Sequence, residues 1–120
     1  MRDAKLMDVL PEATRAALAP VLGPCEQVTR FVPAIGCSLV LTERRLVLVR
    51  EGADFRPRSG VQSWPLDRAL SVRATPIHHT TGRIVIERAG RSASVFVSAA
   101  QSKAADAMIA ELRHRIYAED

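Results

Sequence analysis

The chain is predicted to be a mainly β domain with a helix at each end: about seven antiparallel strands, a short N-terminal helix and a C-terminal amphipathic helix. Three observations point there. Residues 38–50, SLVLTERRLVLVR, are two apolar runs folded about a charged break. Apolar runs of this kind recur as far as Val97, and from Ser98 onward the apolar spacing becomes helical. A chain of 120 residues, 48% of them hydrophobic, is large enough for one core without a metal or disulfide staple.

Residues 1–9 read as a polar lead-in. From 10 to 22, Leu10, Ala13, Ala17, Leu18, Val21 and Leu22 fit one helical face, with Pro11 suited to a first turn and Pro20 and Gly23-Pro24 ending the run. Residues 25–32 are expected to be the first strand, closed by Pro33. The 38–50 hairpin supplies the second and third strands about Thr42, Glu43 and Arg44. Residues 51–60, EGADFRPRSG, form the longest loop of the β-region. A short fourth strand covers 61–65. In the fifth, Leu70, Val72 and Ala74 alternate with Ser71, Arg73 and Thr75. Residues 76–82, PIHHTTG, are assigned to a loop, and 83–88 with 92–97 to a hairpin around Ala89-Gly90. Ser98 then opens a capping-box pattern with Gln101 at the third helical position. Ala105, Met108, Ile109, Leu112 and Ile116 repeat as the apolar stripe of a helix of about five turns. The expected division is a helical lead-in over 1–24 and the β-rich domain over 25–120.

The net charge of +4 is unevenly placed. Ten arginines lie between Arg44 and Arg91 against four acids, while the rest of the chain is slightly acidic. A basic β-portion favours an anionic partner through long-range attraction. The start of the chain has no apolar signal-peptide core, and no apolar stretch reaches the roughly 18–20 residues that span a bilayer. A cytoplasmic location is expected, with peripheral membrane contact allowed. If the chain turns near Pro33 and Ala34, Cys25 faces the region of Thr42 and Cys37 that of Arg30, out of register for a disulfide. Two buried or half-buried free thiols are expected.

Catalytic chemistry finds little support. His78 and His79 are adjacent on an extended segment, so their side chains point to opposite faces and share no metal easily. No nucleophile elbow and no glycine-rich phosphate loop is present. The acids Glu43, Glu51, Asp54 and Asp67 fall at expected turns. Only five aromatic residues occur, too sparsely interleaved with basic ones for a single-strand nucleic-acid platform. The expectation is a non-enzymatic protein without a cofactor or a metal.

Seven strands followed by one amphipathic helix resemble the pleckstrin-homology-like superfold. The local sequence is similar to the bacterial PH-like and GRAM-like group. The residues that carry the likeness are Gly36 with the LVLTERRLVLVR hairpin, Ser63-Trp64-Pro65-Leu66, Gly82-Arg83-Ile84-Val85-Ile86, and Val95-Phe96-Val97 leading into the helix. The resemblance implies a PH-like barrel of two nearly orthogonal sheets plugged by the helix, and a binding module. Eukaryotic relatives grip phosphoinositides with basic residues across the first hairpin, but here no basic residue lies between Phe31 and Val40. By analogy, the loops at the open end would present Phe55, Arg56, Arg58, Arg88 and Arg91 to a partner or an anionic surface.

One pattern argues for association. The segments LVL, LVLV and IVI are apolar on both faces, whereas an antiparallel sheet usually shows water on one side. Either the N-terminal helix or a second copy of the chain covers the other face. In the latter case Leu46, Val47, Leu48 and Val49 would back an oligomer face. The expected partners are therefore another protein or the chain itself, with an anionic membrane as the alternative and nucleic acid disfavoured.

Overall fold

Leucine and valine divide the central hairpin between its two faces, and this division sets the layers of the molecule. The computed structural model describes residues 10–51, 60–78 and 81–117, with the backbone alone for 76–78. Strands β1 (Val28–Ala34), β2 (Cys37–Thr42), β3 (Arg45–Arg50) and β4 (Val61–Pro65) form one antiparallel sheet in sequence order. Strands β5 (Ser71–His78), β6 (Thr81–Arg88) and β7 (Arg91–Ser98) form a second. The two sheets stay separate rather than closing into a hydrogen-bonded barrel. At one corner a backbone bond joins them, from Ile35 N–H to the Phe96 carbonyl at 2.8 Å.

Leu39, Leu41, Leu46 and Leu48 point between the sheets. There they meet Trp64, Leu70, Val72, Ile84, Ile86, Val95 and Val97, and the stripe of helix α2 (Ser102–Tyr117). All five expected stripe residues, Ala105, Met108, Ile109, Leu112 and Ile116, are buried in this core. On the opposite face of the first sheet, Val40, Val47 and Val49 form a second core with Leu10, Ala17 and Leu18 from helix α1 (Glu12–Leu18) and the segment before it. The chain therefore covers its own second face. Leu46, Val47, Leu48 and Val49 are 0%, 0%, 1% and 4% exposed, so the oligomer face expected there is corrected: it is interior surface. Val85 lies on the face of β6 turned away from the main core yet is only 7% exposed, and the Arg73–Glu87 ion pair (2.7 Å) forms beside it, since Arg73 is its cross-strand partner and Glu87 its neighbour on the same face.

A polar clamp holds the N-terminal segment down. The buried Glu26 carboxylate accepts from Gly23 N–H (3.0 Å) and the Thr42 hydroxyl (2.6 Å), and pairs with Arg45 at 2.8 Å. Thr42 in turn accepts from the N–H groups of Arg44 and Arg45, which forms the β2–β3 turn. Glu111 on α2 binds Arg30 and Arg115, each at 2.6 Å, and Arg115 also donates to the Thr42 carbonyl.

Several boundaries differ from the sequence reading. Strand β1 starts at Val28, because residues 24–27 turn about Glu26, and it runs through Pro33, which an edge strand tolerates. The first turn is Ile35-Gly36, with Gly36 at φ +71°, so Cys37 faces Ala34 rather than Arg30. Cys25 is exposed and Cys37 half-buried; both are free thiols, and only the burial expected of Cys25 fails. The expected 76–82 loop is largely strand: Pro76 pairs with Gly82 and His78 with Thr81. Helix α1 is shorter than 10–22, with Pro11 as its N-cap, and Ala13 is exposed while Thr14 is buried. The capping box does not form: Ala99–Gln101 is a 3-10 turn, Ser98 makes no side-chain cap, and the α-helix starts only at Ser102.

Candidate functional site

Strand β4 ends the first sheet, and β3 is its one extensive neighbour. Among the described residues its outer edge makes no backbone hydrogen bond. Beside that edge runs a groove of about 510 Å³, walled by β4 on one side and by Arg88, Ala89 and Arg91 of the β6–β7 turn on the other. The turn is tight because Ala89 (φ +53°) and Gly90 (φ +80°) are both left-handed, the conformation that two-residue hairpin turns require. It sets Arg88 directly opposite Arg91, two like charges across one strand pair.

Asp67 relieves that repulsion. It accepts from Arg88 Nε (3.1 Å) and Nη2 (2.5 Å), a two-point carboxylate–guanidinium pair. The hydrogen bond from Arg88, aided by its charge and by the Ala69 and Leu70 amides, holds the Asp67 carboxyl below its usual range despite some desolvation. The same bond raises Arg88 further above neutrality. Arg91 is exposed and has no ion pair among the described residues. Arg50 reaches the strand from β3, donating to Gln62 Oε1 at 2.7 Å. At the other end, Arg44 and Arg45 line a small cleft with Ser63 and Pro65. Arg45 is paired with Glu26, which leaves Arg44, Arg50 and Arg91 as the cations along this side.

Of the residues nominated from sequence, Arg88 and Arg91 thus come together on one groove. Phe55, Arg56 and Arg58 lie outside the described residues. The sequence reading missed Arg50, Gln62, Ser63 and Asp67. A signal for the edge was present: proline at the end of VQSWP marks a strand that needs no partner on one side. Among the described residues no three or more His, Cys, Asp or Glu side chains gather as metal ligands. No helix among them is long and apolar enough to cross a membrane.

Two other surface features stand out. Ile35 and Phe96 are 61% and 41% exposed, and the backbone bond between them makes them neighbours. Arg83 lies opposite Phe96 on β6. A second cleft, of about 280 Å³, lies between β6 and the start of α2 and is lined mainly by small and apolar side chains such as Ile84, Val97 and Ala105. The charged residues in its lining, Arg83 and Asp106, are both exposed, so no buried polar group converges there.

No protein-family model matches the chain, and no curated protein matches it. Solved structures do. A DUF1696-family protein with a pleckstrin-homology domain from Shewanella loihica is similar with a TM-score of 0.60 and 18% identity, over 87% of this chain and 97% of that one. A pleckstrin-homology domain from Shewanella amazonensis gives 0.54 and 18%, over 84% and 96%. Sheets of four and three antiparallel strands, a helix plugging the space between them, and these two matches together give the chain a pleckstrin-homology-like fold.

Proposed function

We propose that the chain is a non-enzymatic docking module that binds an anionic protein partner in the groove between β4 and the β6–β7 turn. The observation that carries this reading is a strand edge that makes no backbone hydrogen bond among the described residues, set beside a local excess of arginine. Arg91, Arg50 and Arg44 stand along β4, while Asp67 is committed to Arg88. The ionisable groups of the groove are guanidiniums and one carboxylate already held by a guanidinium. Such a set attracts and orients an anion, but it offers no base or nucleophile poised near neutral pH. A binding role accords with the pleckstrin-homology-like fold that the chain shares with the similar structures.

Self-association through the valine face of the first sheet is not part of this reading, since that face is already filled and the chain itself is basic. A second reading, peripheral attachment to an anionic membrane, is favoured by the exposed Ile35–Phe96 pair with Arg83 beside it. An arginine near an anionic leaflet contributes about 1 kcal/mol, so such attachment would be weak and sensitive to salt.

The test is a fluorescence-anisotropy titration with two labelled octapeptides, one alternating threonine and glutamate, the other threonine and lysine. It is run beside pelleting with phosphatidylserine vesicles and light scattering of the protein alone. Docking as proposed gives binding of the acidic peptide only, weakening with salt, and about 10-fold poorer for Arg91→Glu. Pelleting that depends on Ile35, without peptide binding, would replace this reading with the membrane one.

A further inference from the structure

Resting on the docking reading, we infer that the partner's contact segment is an extended acidic stretch that adds to β4 as a fifth strand of the first sheet. A strand edge offers alternating N–H and C=O groups, and another polypeptide backbone is the ligand that complements them. A lipid headgroup or a nucleic acid would use the arginines and leave the edge unsatisfied.

The sheet edges differ in a way that singles out β4. Natural edge strands are blunted by charge, proline, bulges or a covering element. Strand β1 carries Arg30, Pro33 and a register shift after Val28, and α2 and β7 pack beside it. Strand β5 carries Arg73, Pro76 and a shift after Pro76, and α2 lies against it, with Arg113 donating to the Val72 carbonyl at 3.5 Å. Strand β7 is tied to the first sheet through Phe96. Strand β4, VQSWP, has no charged residue and pairs with β3 in unbroken register, and proline appears only at its last position. Among the described residues it is the one sheet edge that is uncharged, in unbroken register and without an extensive cover.

The groove is shaped for such an occupant. Five residues of strand run about 17 Å, the length of a short partner strand. The Arg88–Asp67 pair ties the β6–β7 turn to the segment just after β4, which fixes the far wall of the groove relative to the strand. Arg91 lines the groove itself, while Arg50 reaches Gln62 from β3 and Arg44 lines the cleft at Ser63 and Pro65, so an added acidic strand would meet Arg91 directly and the field of the other two across β4. Charge selects the segment and the backbone ladder fixes its register.

The experiment uses the full chain and the octapeptide alternating threonine and glutamate. Two further versions are N-methylated at alternate residues in opposite phase, which removes half the backbone donors without altering charge. Strand addition requires one phase to bind at least 10-fold more weakly while the other stays within about 2-fold of the parent. It also requires alternate amides of β4 to exchange rapidly in the protein alone and at least 10-fold more slowly with the peptide. Equal binding of all three peptides would overturn strand addition and leave docking by the arginines standing. Slow exchange of every β4 amide without peptide would likewise overturn it, because the edge would already be occupied. No binding of any peptide, with an Arg91-dependent affinity for vesicles or for a thymidine oligonucleotide, would overturn the docking reading along with it.

Discussion

Replacing Leu18 with alanine probes the feature that decides which surfaces the molecule has to offer. Leu18 is completely buried, and it lies in the core that joins α1 to Val40, Val47 and Val49. Leucine-to-alanine changes in packed cores cost about 3–5 kcal/mol, with the lower figure where the surroundings can collapse. Helix α1 is only seven residues long and forms an outer layer, so some collapse is expected and about 3 kcal/mol is the appropriate magnitude. Against a total stability of about 5–15 kcal/mol, this is a large fraction, equivalent to a fall in Tm of about 10 °C. Urea and thermal unfolding followed by circular dichroism, with the fluorescence of the buried Trp64 as a second probe, measure it directly. Ala16→Ser on the exposed side of the same helix is the control and should stay within about 0.5 kcal/mol. A loss below about 1 kcal/mol for Leu18→Ala would refute the packing of α1 on the sheet. It would also return Val47 and Val49 to the list of surfaces available for association.

Three further outcomes are expected. Glu26→Gln should cost about 2 kcal/mol in urea unfolding at neutral pH, because it strips a buried hydrogen-bonded partner from Arg45, which remains partly open to water. Burial alone would raise the Glu26 carboxyl, but the Gly23 amide, the Thr42 hydroxyl and Arg45 outweigh it and lower it. Its contribution is therefore present above the unfolded value and lost as the pH falls through the folded one, so the wild-type advantage over Glu26→Gln should shrink below about pH 4. Ala89→Asn should stabilise the fold by about 1 kcal/mol, read as a higher urea midpoint at unchanged slope, since Asn accepts the positive φ that strains alanine. A thiol reagent at neutral pH should consume one equivalent quickly, at the exposed Cys25. Cys37 should lag, because burial, with Glu51 adding to it and Arg50 opposing, pushes its thiol up.

The strand order and the stripe of α2 were legible because hydrophobic periodicity reports burial directly. Apolar residues on both faces of β2 and β3 correctly signalled a second cover. The leucine-inside, valine-outside split was also in the sequence, but nothing there distinguished a seven-residue helix from a second chain as the cover. Boundaries failed where a tertiary partner overrode local chemistry. Pro33 and Pro76 read as strand ends, yet both sit in edge strands, where a missing N–H costs no ladder bond. The Ser98 capping box failed because a 3-10 turn intervenes before the helix. Arg88 and Arg91 were visible as the ends of a turn. Their meeting with β4 and Asp67 was not, because that contact joins segments more than 20 residues apart.

The measurement that bears most directly on the docking surface is a ¹⁵N amide NMR titration of the full chain with the octapeptide alternating threonine and glutamate. The expected shifts saturate, cluster at residues 61–64 and 88–91, and are lost in Arg91→Glu. Shifts centred instead on Ile35 and Phe96, or unchanged in Arg91→Glu, would contradict it.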